Sequence, residues 1–237
     1  MIRMALVLAA LVAALPAAAE SPRSGSFELS LAGYRPSIDS EFTSGRAPFT
    51  AAFGDGRGWM VRGDIARSIF MDYGSLDLGL GIGYFEKYGH GQLPASAGGG
   101  TSADTTAFKV LPTRVSLTYR FDVLANRFSI PFAPYGRVSF ERYNWWVNNG
   151  SGNTANASGK SGYGGTNGYS FSGGIAFLLD VLDAGLAREM DRDTGINHTY
   201  VFVDFTKSYI SDFHSASSWN LSDEKSVNIS GGLLFVY

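Results

Sequence analysis

The sequence has no cysteine, few charged residues and, beyond its first twenty residues, no apolar run long enough for a membrane helix. The lack of cysteine excludes a disulfide framework, a thiolate metal site and a cysteine nucleophile. Charged residues make up 17% of the chain, and the formal net charge is −2 at pH 7. This composition gives no sign of the basic surface that nucleic-acid binding needs, so we expect no nucleic-acid partner.

Apolar residues and glycine are plentiful. Hydrophobic residues make up 45% of the chain, which is too many for an intrinsically disordered protein. The 237 residues include 30 glycines. Each glycine would weaken a helix by roughly 1 kcal/mol, so the composition also argues against a soluble helical protein.

The N-terminus has the pattern of a secretory signal peptide. Arg3 precedes an uncharged stretch, residues 4–19, which ends in three alanines before Glu20. The alternative, a membrane anchor, is disfavoured because the stretch is short and contains Pro16. We therefore expect residues 1–19 to be a cleaved signal peptide and residues 20–237 to form one exported domain.

Apolar and polar residues alternate with period two in eight segments after the signal peptide. In the last segment Val227, Ile229 and Leu233 fall on one face, and Asn228 and Ser230 on the other. Successive side chains of a strand point to opposite faces, so each such segment predicts a strand with one apolar and one polar face. The other segments begin near these residues: Phe27, Trp59, Leu76, Arg114, Arg137, Tyr169 and Tyr200.

Three further features favour a membrane barrel over a soluble sandwich or a lipocalin-like barrel, which stay as alternatives. Long connections (36–57, 86–104, 147–165 and 208–225) alternate with short ones (70–74 and 122–131), as in outer-membrane barrels. The polar faces carry charges of both signs, which can pair in a narrow interior: Glu28, Arg62, Asp64, Asp77, Arg114, Arg120, Arg137, Glu141 and Asp204.

Aromatic residues gather at both ends of the predicted strands, as at two membrane interfaces. At the long-loop end they are Trp59, Tyr84, Tyr143, Trp145, Trp146, Tyr169 and Tyr209. At the short-turn end they are Tyr119, Phe121, Phe132, Tyr135, Phe177 and Tyr237. We therefore predict an all-β fold, a closed antiparallel up-and-down transmembrane barrel of about eight strands.

Phe108 and Val110 break the parity of the fourth strand, and Pro112 predicts a β-bulge there.

The sequence predicts a helix in one connection, at about residues 179–192. Leu178, Leu182, Leu186 and Met190 follow at a spacing of four, and Gly195 can end the helix. We weigh two roles for this periplasmic helix, an amphipathic connector against the barrel rim and a cap that closes the mouth or meets a partner. Asp191-x-Asp193-x-Gly195 resembles a calcium loop, but the other ligand positions are missing, so we expect no metal.

The C-terminal Gly232, Phe235 and Tyr237 resemble the signal read by the barrel-assembly machinery, which makes that machinery an expected partner. Over its mature length the chain resembles small OmpA/OmpX-like outer-membrane barrels. More narrowly it is similar to a myxobacterial-type family of outer-membrane barrels without an assigned activity, through segments at residues 33–41, 131–136 and 193–199. The resemblance implies the fold and the outer membrane of a Gram-negative-type bacterium. We also expect lipopolysaccharide or phospholipid around the barrel, and a monomer.

Catalytic chemistry is hard to find in the sequence. A serine hydrolase needs a histidine within hydrogen-bond reach of the serine, and adjacent residues such as His214 and Ser215 point apart on an extended chain. His90 and His198 lie in no hydrolase pattern. We predict no catalytic, metal or cofactor-binding residue and no cofactor. The leading function is a structural, adhesive or surface-recognition role of the long loops; a lipid-modifying enzyme and a small channel or carrier stay as alternatives.

Overall fold

The computed structural model describes residues 22–42, 47–93, 99–157, 160–215 and 217–237. The predicted signal peptide, residues 1–19, lies outside these ranges. Within them no helix is long and apolar enough to cross a membrane.

Ten strands form in the described residues, and eight of them are long. The long strands are β1 (Gly25–Tyr34), β2 (Gly58–Phe70), β3 (Ser75–Gln92), β4 (Thr101–Arg120), β5 (Phe132–Asn148), β8 (Tyr163–Leu178), β9 (His198–Ile210) and β10 (Asn228–Val236). The short strands β6 (Asn156–Ala157) and β7 (Lys160–Ser161) pair with each other in the connection between β5 and β8. The long strands close into one barrel in the order β1-β10-β9-β8-β5-β4-β3-β2, and every pairing is antiparallel. The predicted fold, a closed antiparallel barrel of eight strands, is confirmed.

The barrel closes between its first and last strands, as closure of an up-and-down barrel requires. Ser26 pairs with Val236, and the ladder continues to Ala32 and Ser230. Beyond the strand the carbonyl of Tyr237 accepts hydrogen bonds from the amides of Ser24 and Gly25. Closure therefore leaves neither terminal strand with an unpaired edge, which is the feature that protects barrels from edge-to-edge association.

The hairpins at the long-loop end extend further than the sequence indicated. The connection expected at 86–104 is mostly strand, because β3 and β4 continue to Gln92 and from Thr101. A cross-strand ion pair between Glu86 and Lys109, 3.0 Å apart, lies on this extension. The two strands therefore form a long hairpin that projects past its neighbours.

Three α-helices lie in the connections: α1 (Pro48–Phe53), α2 (Val123–Phe128) and α3 (Ala184–Thr194). The first two were not predicted. The helix expected at 179–192 is present but divided into a 3-10 turn (Leu179–Val181) and α3. The division occurs because Asp183 caps α3, its Oδ1 accepting from the amides of Gly185 and Leu186.

The four residues that predicted this helix do not form one buried stripe. Leu178 is buried as the last residue of β8, whereas Leu182 is 73% exposed and Leu186 is 55% exposed. Gly195 ends α3 with a φ of 73°, as its position indicated.

The outer face of the barrel is apolar and exposed. The outward residues that the alternation predicted are confirmed on all eight long strands, and they include Leu29, Val61, Leu80, Leu117, Val138, Phe171, Val203 and Leu233. Burying such surface stabilises a protein by roughly 25 cal/mol per Å². The other sheet among the described residues, β6 with β7, has strands of two residues, which are too short to cover an apolar face all the way around the barrel. That face therefore needs an apolar environment.

The interior has three layers. The layer at the short-turn end is apolar and consists of Ala133, Ala176, Leu178, Tyr200, Phe202, Leu234 and Val236. The middle layer is charged, and we call it the charge layer; it consists of Glu28, Arg62, Asp64, Asp77, Arg114, Arg120, Arg137, Glu141 and Asp204. The layer at the long-loop end, which we call the apolar plug, consists of Tyr34, Ile38, Phe49, Met60, Phe85, Phe108, Val110, Tyr143, Ile210 and Leu221.

The bulge predicted at Pro112 is absent. Thr113 pairs with Ile82, and Val110 pairs with Phe85, so the register between β3 and β4 is the same on both sides of the proline. Phe108 and Val110 share the inward face with Arg114 because the interior becomes apolar at this height. The bulges among the barrel strands lie instead near Ser68 in β2 and His90 in β3.

Three of the predicted interface aromatics point inward instead. Tyr143 is 1% exposed within the apolar plug, Trp145 packs against it, and Tyr135 packs against the apolar layer at the other end. Trp59, Tyr84 and Tyr169 are exposed at the long-loop end as predicted. Tyr119, Phe121 and Phe132 are exposed at the short-turn end.

Candidate functional site

The charge layer fills the middle of the barrel with paired ions. Arg114 donates from Nε and Nη2 to the two carboxylate oxygens of Asp64 at 2.6 and 2.8 Å. Arg137 donates from Nη1 and Nη2 to the two carboxylate oxygens of Glu28 at 3.1 and 2.5 Å. Arg120 reaches Asp77 at 2.5 Å. Two parallel hydrogen bonds between a guanidinium and a carboxylate orient both groups, so these pairs stiffen the interior.

The pairs are linked across the barrel rather than isolated. Arg114 lies 3.8 Å from Glu28, and Arg137 lies 3.9 Å from Asp204. Arg62 lies 3.4 Å from Glu141 and donates to the hydroxyl of Tyr143. The prediction that the inward charges would lie beside opposite charges is confirmed, as expected where an unpaired buried ion is costly.

Little open space remains inside the barrel. The cavity next to Glu28, Arg62 and Arg137 measures about 30 Å³. That volume is enough for one or two water molecules, which need at least 10–15 Å³ each. The described interior therefore offers no passage for a solute through the charge layer.

The apolar plug closes the long-loop end above the charge layer. The rings of Tyr34 and Phe85 meet edge to face with centroids 4.9 Å apart. Leu221 enters the plug from the connection between β9 and β10 and is completely buried. The Tyr34 hydroxyl donates to the Leu221 carbonyl at 2.6 Å. The plug thus combines side chains from the barrel wall with one from a loop.

Polar contacts hold two long connections, 35–57 and 211–227, over the mouth of the barrel. Arg57 donates to both carboxylate oxygens of Asp223 at 3.0 and 2.7 Å. Arg35 donates to Glu224. Asp39 accepts from the amides of Phe49 and Thr50 at 2.7 and 3.0 Å, which holds the first turn of α1. The loops are therefore folded together as a cap.

A cleft opens between the β5–β8 connection and the β9–β10 connection. It measures about 590 Å³, and we call it the tryptophan cleft. Its lining residues carry no formal charge: Trp145, Val147, Ala155, Gly162, Tyr163, Gly164, Gly165, Ser217, Ser218 and Trp219. Trp145 and Trp219 stack with centroids 4.1 Å apart at an interplanar angle of 15°. Ligand sites typically occupy about 300–1,000 Å³ and combine aromatic walls with a few polar groups.

The sequence placed Trp145 at the long-loop end of its strand but gave no prediction for Trp219 and Leu221. Trp219 lies in a connection of mainly polar residues, and its stacking partner is distant in the sequence. The local signal is the presence of two large apolar residues, Trp219 and Leu221, two positions apart in a connection whose other large apolar residues are Phe213 and Val227.

Burial shifts the pKa of one carboxyl group of the cap. Glu41 ends the 3-10 turn Ile38–Glu41. Desolvation by partial burial raises the pKa of its carboxyl group, and a backbone hydrogen bond from Asn220 opposes this shift.

A smaller pocket of about 340 Å³ lies at the short-turn end, between β9 and the segment containing α3. Its wall includes Asp180, which accepts from the Thr199 amide at 3.1 Å and lies 2.8 Å from Nδ1 of His198. This contact fixes the 3-10 turn against the start of β9.

The structure does not assemble a hydrolase site from the predicted loop residues. Ser215 and Ser217 contact each other through their hydroxyls at 2.9 Å, and the His214 amide donates to Ser211. Asp212 accepts from the Asn167 side chain. In the described part of the chain, no hydrogen bond joins the His214 imidazole to either serine. His90 is exposed on β3.

The calcium-like segment forms no cluster of ligands. Arg192 forms an ion pair with Asp193 at 2.8 Å on the surface of α3. Among the described residues no group of three histidine or acidic side chains is close enough to hold a metal ion.

Similar solved structures include two small barrels. The N-terminal β-barrel domain of Pseudomonas aeruginosa OprF is 13% identical, with a TM-score of 0.40, and the match covers 91% of this chain and 100% of that chain. Two structures of Ail, the attachment invasion locus protein of Yersinia pestis, one with the heparin analogue sucrose octasulfate, are 9% and 8% identical. Both have a TM-score of 0.34, and the matches cover 90% of this chain and 95% of Ail.

Similarity at this level carries no argument about ligand or activity. Comparisons with protein-family models and with curated proteins found no match, so no family model supports the narrower resemblance to a myxobacterial-type family. The fold itself has the closed eight-stranded form, with long and short connections at opposite ends, that the resemblance to small OmpA/OmpX-like barrels implied.

Proposed function

We propose that the protein is a non-conducting integral outer-membrane barrel that acts through a recognition or adhesion surface at its long-loop end. One contrast carries this proposal: the lumen is filled, whereas a cleft of about 590 Å³ stays open among the long loops. A channel or carrier would show the opposite distribution of open volume.

The membrane location rests on the outer face. Apolar side chains are exposed around the whole barrel, including Leu80 at 62% and Phe171 at 53%. Contiguous exposed apolar surface of this extent is rare on soluble monomers. A closed barrel is also one of the two backbone arrangements that satisfy their hydrogen bonds within lipid. By the pattern of outer-membrane barrels, the short-turn end faces the periplasm and the long-loop end faces outward.

The lack of conduction rests on the charge layer and the apolar plug together. Eight strands leave an interior just wide enough for side chains. Here arginine–carboxylate pairs occupy that width, and Phe85, Phe108 and Tyr143 close it above them. Planar-bilayer recording should show no stable conductance steps, and reproducible steps would instead support the channel alternative.

Recognition is assigned to the tryptophan cleft because it is an open volume of about 590 Å³ among the described long loops and its lining is uncharged. Tyr163 is 66% exposed at its rim, whereas Trp145 and Trp219 pack against the apolar plug below. An aromatic, hydroxyl-bearing lining of this kind suits neutral saccharides or weakly polar protein surfaces.

Assembly would use the C-terminal strand. Phe235 lies on the outward-facing register of β10 opposite Phe27, where an assembly factor could reach it before closure. Gly232 has a structural role as well, since a Cβ at that position would lie 1.9 Å from the Leu29 carbonyl oxygen. The glycine is therefore needed for close strand pairing, whatever the assembly machinery reads.

The test compares cells that display the native protein with cells that display Tyr163→Ala, on arrays of immobilised glycans and matrix proteins. Tyr88→Ala is the matched control, because Tyr88 is 64% exposed on β3 and does not line the cleft. We expect some of the immobilised glycans or matrix proteins to bind cells that display the native protein and not cells that lack it. Cells that display Tyr163→Ala should bind these molecules more weakly, whereas cells that display Tyr88→Ala should bind them as well as native cells. If no array position binds the native protein above cells that lack it, the recognition role is wrong.

A further inference from the structure

Arg142 lies on the outer face of β5, directly beyond the apolar belt. Val138 and Phe140 precede it on the same face, and both are about half exposed. Its cross-strand neighbours are Thr113 on β4 and Asn167 on β8. A cation at this boundary is within reach of the headgroup of any lipid whose chains cover Phe140.

The guanidinium of Arg142 is held in place. Its Nε donates to Asn144 Oδ1 at 3.2 Å, and its Nη1 donates to Asn167 Oδ1 at 3.0 Å. Asn167 is itself oriented, because its side-chain Nδ2 donates to Asp212 Oδ1 at 2.9 Å. Nη2 lies over Gly165, where an added Cβ would come within 2.5 Å of it. The glycine thus leaves the space that the guanidinium occupies.

The positive charge of Arg142 has no acidic partner in the described part of the chain: no carboxylate oxygen there lies within 4 Å of it. Its bonded partners are neutral amides, and no protein acceptor among the described residues bonds to Nη2. A guanidinium binds phosphate through two parallel hydrogen bonds, and this one keeps donors available for that purpose.

Lys207 supplies a second cation on the same side of the barrel. It follows Phe205 on the outer face of β9 and pairs with Phe171, so its stem lies among apolar side chains. Its Nζ lies 5.4 Å from the centroid of the Tyr209 ring, and Tyr209 is two residues nearer the long-loop end of β9. The side chain therefore extends along the barrel toward the interface, as lysines do when their stem is in lipid.

Tyr169 lies on β8, between the two strands that carry the cations. Tyr169 on β8 stacks on Tyr209 with centroids 5.1 Å apart, and it pairs across strands with Phe140, two positions before Arg142. Like Arg142, Lys207 has no carboxylate oxygen within 4 Å among the described residues. The outer face of β5, β8 and β9 thus has two cations without acidic partners beside an aromatic surface at the edge of the apolar belt.

We propose that Arg142 and Lys207 bind the phosphate groups of lipopolysaccharide at the outer edge of the membrane. This inference rests on the proposed function, because it needs the barrel in an outer membrane with its long loops outward. In that orientation the phosphate-bearing lipid beside Arg142 is lipopolysaccharide. Its phosphates supply the anions that the protein does not, and Tyr169 and Tyr209 pack beside the glucosamine and the first carbons of the acyl chains.

The test titrates the purified protein in detergent micelles with diphosphoryl lipid A and measures binding by native mass spectrometry. Arg142→Gln and Lys207→Gln are combined in one variant. Arg67→Gln is the matched control, because Arg67 is also exposed on the outer face but lies near the short-turn end of β2. We expect the double variant to lose at least tenfold in affinity and the control to keep native affinity. Dephosphorylated lipid A and phosphatidylglycerol should bind the native protein at least tenfold more weakly than diphosphoryl lipid A.

Unchanged affinity in the double variant, or an equal loss in Arg67→Gln, would overturn the proposal. Equal affinity for phosphatidylglycerol would overturn the assignment to lipopolysaccharide. A shift in gel mobility on heating, measured on every sample, shows that each variant is a folded barrel. If the native protein instead stays folded and monomeric in water without detergent, the proposed membrane location is wrong. That result differs from a folded barrel in detergent that does not bind lipid A.

Discussion

Arg114 and Asp64 meet through two hydrogen bonds, of 2.6 and 2.8 Å, across the interior of the barrel. They lie on β4 and β2, which are not neighbours in the sheet, so β3 passes between them. Gly81 of β3 pairs with both residues and has no side chain to separate them. The ion pair therefore links β2 to β4 over the inner side of β3, where Gly81 leaves the space for it.

Removing the carboxylate should destabilise the barrel strongly. Asp64→Ala leaves the Arg114 charge buried without its main partner, and breaking a buried pair in this way costs about 3–5 kcal/mol. Urea unfolding in detergent or vesicles measures the change. Asp193→Asn is the control, because the Arg192–Asp193 pair is exposed and such pairs contribute little. If both variants unfold at the same urea concentration as the native protein, the charge layer does not stabilise the barrel.

Adding one methyl group at Gly81 should have a comparable effect. The Cβ of Gly81→Ala would lie 1.9 Å from Asp64 Oδ1 and 2.9 Å from Arg114 Cγ, so the pair must separate. We expect a loss of about 3 kcal/mol or more in the free energy of unfolding, similar to loss of the pair itself.

The control for that variant is Gly173→Ala on β8, since nothing lies within 4 Å of the Cβ it would add. This variant should unfold like the native protein or slightly later. If Gly81→Ala and Gly173→Ala change the free energy of unfolding equally, backbone freedom, and not the space beside Asp64, explains the glycine at position 81.

The loop contribution to the apolar plug is testable at Leu221. Leu221→Ala removes a fully buried side chain from the mouth of the barrel, and substitutions of this kind cost about 2–5 kcal/mol. Leu182→Ala, at a leucine that is 73% exposed, should change stability much less. Hydrogen exchange by mass spectrometry should show faster exchange in 211–227 for Leu221→Ala. Native-like exchange there would show that the loop is not anchored by Leu221.

Much of the barrel wall could be predicted because its signal is local. Period-two alternation depends on neighbouring residues only, and it identified eight strands, their outward residues and the inward charges from Glu28 to Asp204. The closing contact between β1 and β10 followed from the need to pair both edges.

The errors occur where the interior changes character. Phe108 and Val110 seemed out of phase because a polar lumen was assumed along the whole strand, yet the lumen is apolar near the long loops. Tyr143 and Trp145 were assigned to the interface by residue type, although parity places them inside.

The candidate site was less predictable than the wall. The tryptophan cleft forms only when Trp145 on β5 meets Trp219 in a distant loop. The Arg142 site depends on Asn167, Gly165 and Asp212, which come from β8 and the β9–β10 connection. Single-residue patterns carry no information on such contacts, because the loop conformations that create them are set by packing across the barrel mouth.

The central claim is that the outward faces of the strands lie in lipid, and spin labels test it most directly. The chain has no cysteine, so Leu80→Cys, Leu117→Cys and Ser151→Cys each place one label on the protein in vesicles. Leu80 and Leu117 lie on the exposed apolar face. Labels at these two positions should collide far more often with oxygen, which dissolves in lipid, than with a water-soluble nickel chelate. At Ser151, in the β5–β8 connection, the nickel chelate should collide readily. If labels at Leu80 and Leu117 meet the nickel chelate as often as the label at Ser151, the barrel does not span the membrane.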